Sequence, residues 1–298
     1  MMTTLQGKTI LITGGTSGIG RETAVNLAKM GAHVVVTGRD QERGTQGIDD
    51  IRQRSGSNTV DLLLANLSLM SEVRRLAAEF QQRFDRLDVL VNNVGYLPDQ
   101  PRKTSEGIET TLAVNHLAPF LLTHELLPML RASAPSRVIN VTGGMPGMGG
   151  VDFDNLQAEK SFLALSTYTH AKNVMMAMSY AFAQRLQGTG VTLNVAYPGG
   201  ANTNMTNDLK PDMVPFGMRL IWPVFRTFMS NAKPEGAAVS STYLAAAPEV
   251  AAVSGQYYNS KAKQTRWPKT IVADGVPGRV WQISEQLVDL ERAAVLQT

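Results

Sequence analysis

Short runs of β-branched residues alternate with amphipathic stretches from residue 8 to about residue 200. This alternation favours βαβ units, in which helices cover both faces of a mostly parallel sheet. The predicted strands are Lys8–Thr13, His33–Thr37, Thr59–Leu64, Asp88–Asn92, Arg137–Thr142 and Thr192–Ala196, with a seventh at Gly255–Asn259. The predicted helices are Gly18–Met30, Gln41–Arg54, Met70–Phe84, Glu106–Arg131, Ser166–Gln187, Pro234–Ala246 and Gly278–Asp289. We therefore expect one doubly wound α/β domain over residues 1–298, with a seven-stranded, mostly parallel sheet.

The composition is that of an ordinary globular protein. Of the 298 residues, 43% are hydrophobic, which is enough for a sizeable core. The formal net charge of +3 is too small to indicate the basic surface of a nucleic-acid-binding protein. The chain has no cysteine, so disulfide and thiolate chemistry are excluded. Because the N-terminus is polar and unlike a signal peptide, we expect a cytoplasmic protein.

A glycine-rich segment, Thr13–Gly20, joins the first predicted strand to the first predicted helix. Glycines at such a turn let the backbone approach a pyrophosphate group, and the N–H groups at the helix start attract its negative charge. The spacing is GxxxGxG, and its place on the first strand-to-helix turn of a βαβ series predicts a dinucleotide-binding Rossmann fold. The residues expected to hold the pyrophosphate are Gly14, Thr16, Ser17, Gly18, Ile19 and Gly20.

The end of the second predicted strand bears on the choice between NAD and NADP. An NAD-selective site places a carboxylate there to accept a hydrogen bond from the ribose 2′-OH, whereas this chain has Gly38. Arg39 follows and offers a planar set of donors for a 2′-phosphate, which predicts NADP(H). Arg21 is either a second positive charge at this site or, as we favour, a solvated surface charge. Asp40 is expected to cap the next helix.

Two irregular stretches, Gly143–Asn155 and Gly199–Lys233, each follow a predicted strand. Ligands bind at the carboxyl ends of parallel strands, so we expect both stretches to shape a substrate pocket, with residues 199–234 as its lid. Within them, Phe216–Met229 is too short to span a bilayer and is expected to serve the lid, with contact at a membrane surface as the alternative. The pocket's apolar side chains indicate a bulky, lipophilic substrate; they are Met145, Met148, Met205, Met213, Met218, Trp222, Phe225 and Met229.

Several segments together resemble the short-chain dehydrogenase/reductase superfamily, and within it the retinol-dehydrogenase-like and WW-domain-oxidoreductase-like branch. They are Thr13–Gly20, Asn92–Gly95, Glu106–Glu109, Val114–Phe120, Tyr168–Lys172, Pro198–Gly199 and Leu220–Pro223. The likeness spans essentially the whole chain. It implies a homo-oligomer, a dimer or tetramer, because the helices that carry Asn115 and Tyr168 pair across subunits in many relatives.

The resemblance also implies roles for individual residues. Asn115, Tyr168 and Lys172 match three of the family's four catalytic positions. Asn66 stands where the family usually has an aspartate near the adenine, and Leu67 follows it. The other residues implied in cofactor binding are Asn92, Asn93 and Gly95 on the adenosine side, and Pro198, Gly199 and Thr203 near the nicotinamide.

Elementary chemistry agrees with the pair Tyr168 and Lys172. The two residues are four apart on a predicted helix, so they lie on one face of it. A phenol with a pKa near 10 is a poor acid–base catalyst at neutral pH, and an adjacent ammonium group would stabilise the phenolate. Tyr168 would then protonate a carbonyl oxygen during reduction, or deprotonate an alcohol in the reverse direction.

The fourth catalytic position departs from the family. Relatives end this strand with two serines, whereas this chain reads Thr142-Gly143, and Gly143 falls on the catalytic serine. Three explanations stay open. Thr142 restores the contact; the substrate or a water molecule replaces it in a slower or narrower reductase; or the protein has given up carbonyl reduction for dehydration, isomerisation or cofactor sensing.

These observations predict an NADP(H)-dependent oxidoreductase that acts on a hydrophobic ketone, aldehyde or secondary alcohol. The alternative is a non-redox or cofactor-sensing protein that binds NADP(H) without normal turnover. No metal site is expected, since His33, His116, His124 and His170 show no metal-ligand spacing.

Overall fold

The computed structural model describes residues 4–289, so the two ends of the predicted range 1–298 lie outside the described residues. Its strands form one sheet in the order β3-β2-β1-β4-β5-β6-β7-β8. The strands are β1 (Thr9–Ile12), β2 (His33–Gly38), β3 (Val60–Leu64), β4 (Val89–Asn92), β5 (Ser136–Val141), β6 (Val191–Ala196), β7 (Tyr257–Tyr258) and β8 (Gln264–Thr265). The mostly parallel doubly wound sheet is thereby confirmed, with eight strands instead of seven.

The strand order places a crevice at the centre of the sheet. β1 pairs in parallel with both β2 and β4. β2 and β3 are added on one side of β1 and the later strands on the other, so the strand order reverses between β1 and β4. In such sheets, ligands bind outside the carboxyl ends of the strands at the point of reversal. All pairings are parallel except β7 with β8, which is antiparallel. A two-residue strand such as β8 is too short to give a periodic signal in the sequence.

The helices in chain order cover both faces of this sheet. They are α1 (Gly18–Lys29), α2 (Gln41–Ser55), α3 (Met70–Arg83), α4 (Thr110–Leu112), α5 (Ala118–Glu125), α6 (Leu127–Ala132), α7 (Ala164–Arg185), α8 (Asn204–Asn207), α9 (Phe216–Leu220), α10 (Trp222–Asn231), α11 (Pro234–Ala237), α12 (Val239–Ala246) and α13 (Val276–Leu287). A π-helical turn, Ala113–Leu117, joins α4 to α5. The predicted helix Glu106–Arg131 is therefore divided, and the region predicted to be irregular after β6 contains three helices.

The core lies in two layers because successive strand residues point to opposite faces. Leu11 packs with apolar side chains of α3, α5 and α7 on one face, whereas Ile10 and Ile12 pack with those of α1 and α12 on the other. Both layers consist of buried apolar residues, mostly aliphatic, with aromatic rings such as Phe80 and Phe120 in the first. This packing fixes the carboxyl ends of β1, β4, β5 and β6, which carry the predicted site.

Helix α13 lies across α5 and α7, the two helices expected to pair between subunits. The Trp281 ring packs edge-on against Phe120 of α5 and Phe182 of α7, with centroid distances of 5.1 and 5.0 Å. The Ser284 hydroxyl lies 2.7 Å from His116 Nε2. Part of the expected pairing face is thus covered within one protomer. Homo-oligomerisation stays a prediction.

Candidate active site

The glycine turn after β1 has a backbone that other residues would not adopt. Gly14 and Gly18 have φ angles of 65° and 53°, in the left-handed region that favours glycine. A Cβ atom on Gly20 would collide with Asn93 Nδ2 and lie 2.5 Å from the carbonyl oxygen of Gly14. The glycines therefore allow the turn to close tightly on the start of α1.

The end of β4 holds this turn in place. Asn93 Nδ2 donates to the carbonyl oxygens of Thr13 and Gly14, at 3.0 and 3.3 Å. The Thr13 hydroxyl oxygen accepts from the backbone N–H groups of Asn93 and Val94, at 3.0 and 3.2 Å. Asn93, expected on the adenosine side, thus stabilises the backbone of the glycine turn.

The start of α1 fits an anionic group. Ser17 precedes the helix, its side chain makes no capping hydrogen bond, and the first turn contains no acidic residue. The first backbone N–H groups of a helix have no partner within it and carry a partial positive charge. With the close backbone approach that Gly14 and Gly18 allow, these residues fit the pyrophosphate of a nicotinamide dinucleotide.

Thr16 packs between β2 and α2. A Cβ atom on Gly38 would lie 3.2 Å from Thr16 Cγ2, and one on Gly47 would lie 2.7 Å from the Thr16 carbonyl oxygen. A carboxylate side chain at position 38 would therefore crowd the turn. Gly47, in the middle of α2, was not predicted from the sequence, because only the fold shows that the helix passes so close to Thr16.

The polar residues beyond β2 take different positions. Arg39 is exposed, and none of the ion pairs in residues 4–289 includes it. The Asp40 carboxylate accepts from the Arg43 backbone N–H at 2.9 Å, so the predicted helix cap is present. Arg21 Nε lies 3.3 Å from an Asp50 carboxylate oxygen on α2. Arg39 is thus the arginine available at the end of β2.

Asn66 and Leu67 follow the carboxyl end of β3. Asn66 is exposed, and its side-chain oxygen accepts from the backbone N–H and hydroxyl of Ser68, at 3.3 and 2.8 Å. Leu67 is buried and packs into the core on the α3 side. Both lie at the edge of the crevice on which the predicted adenine site depends.

The π-helical turn positions Asn115. Its Nδ2 donates to the carbonyl oxygens of Tyr96 and Thr111, both at 2.8 Å, and its Oδ1 accepts from the Tyr96 backbone N–H at 3.1 Å. Widened helical turns of this kind occur frequently at functional sites. The side chain is fully buried and joins the loop after β4 to the helix that follows.

Tyr168 and Lys172 lie one turn apart on α7, as predicted. Lys172 Nζ lies 5.9 Å from the centroid of the Tyr168 ring. The ammonium donates to the carbonyl oxygens of Val94 and Val141, at 3.2 and 3.1 Å. Lys172 thus connects the ends of β4 and β5, and both of its acceptors are backbone atoms that the sheet holds in place.

Burial determines the protonation of this pair. It raises the pKa of Tyr168 well above its usual value, with a further contribution from nearby Tyr197, and it lowers the pKa of Lys172 to about 7. The expectation that Lys172 lowers the pKa of the tyrosine is thus opposed by desolvation. Tyr168 stays protonated at neutral pH, which suits a proton donor.

Thr142 and Gly143, which are expected at the positions of the family's two serines, follow β5 directly. Thr142 is buried, and its Oγ1 has no hydrogen-bond partner among the described residues. A Cβ atom on Gly143 would collide with the Tyr168 hydroxyl and lie 3.1 Å from Tyr168 Cζ. Gly95, expected on the adenosine side, lies beside the same hydroxyl, since its Cβ position is 3.6 Å from Tyr168 Oη.

The chain after β6 returns to the glycine turn. Gly199 follows the buried Pro198 with a φ of 77°, and a Cβ atom on it would lie 3.1 Å from Ser260 Cβ. Thr203 caps α8, and its Cγ2 lies 3.2 Å from the Cβ position of Gly18. The structure therefore brings Thr203 against the predicted pyrophosphate site, which the sequence separates by 185 positions.

Apolar side chains surround Tyr168. They come from α7, from the loops after β4 and β5, and from the segment after β6; they are Leu97, Met145, Leu165, Met205, Val214, Met218 and Trp222. A neighbouring cluster contains Phe162, Ala164, Leu209, Met213 and Phe225. Met148, also expected at the pocket, is 60% exposed. Leu97, Leu165 and Val214 were missed because isolated aliphatic residues resemble ordinary core.

The lid, residues 199–234, is apolar on two sides. Its inner side consists of Met218, Trp222 and Phe225, which pack into the clusters around Tyr168. Its outer side presents four large hydrophobic side chains to solvent; Phe216 is 74% exposed, and Leu220, Ile221 and Val224 also belong to it. Among residues 4–289, no helix has the length and apolar character needed to cross a membrane.

Comparison with protein families shows which family this chain belongs to. The family model described as "short chain dehydrogenase" matches residues 8–214. The chain belongs to the short-chain dehydrogenase family. Human retinol dehydrogenase 13 is 34% identical over 293 residues, covering 98% of this chain and 88% of the relative. Human retinol dehydrogenase 14 is 35% identical, covering 96% and 88%. The retinol-dehydrogenase-like branch and the oxidoreductase class are therefore confirmed.

Solved structures extend the likeness to the cofactor. A protein of Mycobacterium paratuberculosis superposes with a TM-score of 0.75 at 23% identity, over 96% of this chain and 95% of that one. The NADP active-site complex of Pseudomonas aeruginosa RhlG has a TM-score of 0.67 at 27% identity, over 87% and 96%. The fold of this short-chain dehydrogenase is thus one that binds a nicotinamide cofactor. Within residues 4–289, no three histidine, aspartate or glutamate side chains converge as metal ligands would.

Proposed function

We propose that the protein is an NADP(H)-dependent oxidoreductase that acts on a hydrophobic ketone, aldehyde or secondary alcohol. The observation that carries the proposal is the position of Tyr168. Its side chain packs in an apolar cluster, and Lys172 lies one turn away on α7. A pocket of this composition favours a lipophilic substrate whose single polar atom meets the tyrosine.

The proposed chemistry uses this chain's residues as follows. The nicotinamide, when bound, supplies a hydride to the carbonyl carbon. Tyr168 donates its phenolic proton to the carbonyl oxygen, so that C=O becomes CH–OH and a phenolate is left, which solvent then reprotonates. Lys172, held by two backbone carbonyl groups, stabilises that phenolate while it is charged. The raised pKa of Tyr168 keeps the phenol protonated at neutral pH, which is the form that donates a proton during reduction.

The preference for NADP(H) rests on the end of β2. Arg39 is exposed and without a carboxylate partner among the described ion pairs, while Asp40 is engaged by the start of α2. An arginine can donate two parallel hydrogen bonds to the 2′-phosphate, whereas no carboxylate side chain at position 38 is present for a 2′-OH.

A second candidate function is favoured by one observation, the absence of a hydroxyl at Gly143. In it, the protein binds NADP(H) and performs non-redox chemistry, or senses the cofactor. Consumption of NADPH across a panel of aromatic and polycyclic ketones distinguishes the two. Steady turnover of any ketone supports the oxidoreductase, whereas tight NADPH binding without turnover of any of them supports the second candidate.

Three further expectations stay predictions. They are a cytoplasmic location, a homo-oligomer, and the alternative contact of Phe216–Met229 with a membrane surface. The exposed outer side of the lid favours that contact. Co-sedimentation with liposomes tests the contact, and sedimentation velocity tests the oligomer.

A further inference from the structure

The end of β5 and the start of α7 approach each other more closely than side chains would allow. A Cβ atom on Gly143 would lie 3.1 Å from Tyr168 Cζ and 3.4 Å from Cε1, and it would collide with the tyrosine hydroxyl. These atoms belong to a rigid aromatic ring, so no single atom can give way alone. The hydroxyl of Tyr168 occupies the volume in which a side chain at position 143 would begin.

The next residue shows the same closeness independently. A Cβ atom on Gly144 would lie 2.6 Å from Thr169 Oγ1 and 3.2 Å from the Thr169 Cα atom. Gly144 also has a φ of 67°, which favours glycine. Two successive glycines therefore face two successive residues of α7. The contact at Gly144 involves the backbone of Thr169, so the closeness there is a property of the helix position.

The contact between Gly95 and the Tyr168 hydroxyl is less crowded. A Cβ atom on Gly95 would lie 3.6 Å from Tyr168 Oη and 3.6 Å from Met205 Sδ, which are ordinary van der Waals distances. Residues 199–234 reach the Tyr168 side chain through Met205, Met218 and Trp222. A group of methyl size therefore fits beside the hydroxyl on the Gly95 side, whereas on the Gly143 side it would collide with the hydroxyl.

We infer that Gly143 is a positioning residue for Tyr168: because position 143 has no side chain, the tyrosine hydroxyl can occupy the position from which it meets the substrate oxygen. The inference rests on the proposed function. It means that position 143 must lack a side chain. Serine at this position would displace Tyr168 and would not supply a second donor.

The relation between Tyr168 and Lys172 depends on this closeness. Lys172 is tied to the Val141 carbonyl oxygen, two residues before Gly143, and to that of Val94. A side chain at position 143 would move the tyrosine but leave these two acceptors in place. The distance between the ammonium and the phenol would change, and the pH dependence of catalysis would change with it.

Two substitutions separate steric displacement from a missing donor. Gly143→Ala adds only a Cβ atom, and Gly143→Ser adds the same atom with a hydroxyl. We expect both to lower kcat for NADPH-dependent ketone reduction by about 100-fold or more, to shift the pH profile of the remaining activity, and to leave the Kd for NADPH within about threefold. The control Gly278→Ala, in α13 with no atom within 4 Å of the added Cβ, keeps full activity.

A rise in kcat for Gly143→Ser above wild type, with a loss for Gly143→Ala, would overturn the inference, because a serine would then be acting as the missing donor. Wild-type activity of Gly143→Ala would overturn it as well, since the predicted collision would be absent.

Thermal unfolding tests the same contact without any turnover. Gly143→Ala should lower Tm by about 5 °C in the wild-type background and by clearly less in Tyr168→Phe, which lacks the colliding hydroxyl. Equal losses in both backgrounds contradict the inference. Because this cycle needs no substrate, it distinguishes failure of the inference from failure of the proposed function: coupled Tm changes with no ketone turned over leave Gly143 as a positioning residue and reject the reductase.

Discussion

The two walls of the pocket differ in how they are held. The rear wall is α7, a 22-residue helix whose residues are mostly buried between the sheet and α13. The lid contains α9 and α10, short helices of five and ten residues, and Leu220 and Val224 on its outer side are each 73% exposed. One wall is fixed by packing on both sides, whereas the other rests on a few inner contacts.

The difference indicates that the two walls have separate roles, α7 in catalysis and the lid in substrate selection. The proton donor and its lysine lie on the wall that packing determines, where small displacements are opposed by many contacts. The apolar side chains expected to select the substrate lie on the wall with fewer buried contacts, where local opening costs less free energy. Changes in the rear wall should therefore act on kcat, and changes in the lid on KM.

The largest expected effect is that of Tyr168→Phe. Loss of the phenolic proton should lower kcat by roughly 10³-fold while the Kd for NADPH changes little. Tyr180→Phe is the matched control, because Tyr180 lies on the same helix and packs edge-on against Trp267, at 5.5 Å between centroids. Steady-state kinetics and fluorescence titration measure the two quantities. Comparable losses in both variants would mean that α7 has been disturbed and that no proton donor was removed.

The next largest effect is expected on the choice between NADPH and NADH, which depends on the end of β2 and not on α7. Arg39→Asp should lower the preference for NADPH over NADH by about 10- to 100-fold, because a charge-assisted hydrogen bond to the 2′-phosphate is replaced by repulsion. Arg131→Asp, an equal charge change on α6, is the control. The ratio of kcat/KM for the two cofactors is the measurement, and an unchanged ratio would reject the role of Arg39.

A smaller effect is expected at the inner side of the lid. Trp222→Ala removes a ring that packs 5.8 Å from Phe225 and contacts the cluster around Tyr168. KM for a polycyclic ketone should rise about tenfold, with kcat within about threefold, because apolar contact with the substrate is lost. Val224→Ala, two residues on and facing solvent, should leave both constants unchanged. A fall in kcat without a change in KM for Trp222→Ala would remove the proposed division between the walls.

The smallest effect is on stability and is absent at pH 8. Burial lowers the pKa of His116 to about 3 from an ordinary value of 6.5, and burial also lowers that of nearby His170. Between pH 6.5 and about 3 the unfolded chain therefore binds a proton at His116 that the folded protein does not, so stability falls as pH falls. His116→Gln should make the urea midpoint less sensitive to acid over this range. An identical acid dependence in the variant would show that other groups cause it.

Much of the fold and the cofactor site follows from local sequence. The strand positions are predicted within about one residue near the site, because buried β-branched runs have few other uses. The turn Thr13–Gly20 and the cap at Asp40 are recognisable because backbone geometry requires those residue types there. Tyr168 and Lys172 are predicted by the family resemblance, and their spacing of four on a predicted helix agrees with it.

The remaining features depend on contacts between distant segments. The predicted helix is divided near Asn115, where the side chain bonds to the distant Tyr96, and periodicity carries no signal for such a contact. The closeness of Gly143 to Tyr168 depends on how near α7 approaches β5. The lid helices are short and interrupted by prolines, and Trp222 and Val224 face opposite sides although both look like core residues in the sequence.

The central claim is that Tyr168 protonates a carbonyl group that receives hydride from NADPH. Its most direct test is the reduction of an aromatic ketone with NADPH carrying deuterium at one or the other C4 position, with the product analysed by mass spectrometry. The account predicts an alcohol with one deuterium on the carbinol carbon for one of the two labelled cofactors, and none of this product with Tyr168→Phe. An unlabelled, dehydrated or isomerised product from both cofactors, with NADPH unchanged, would contradict it.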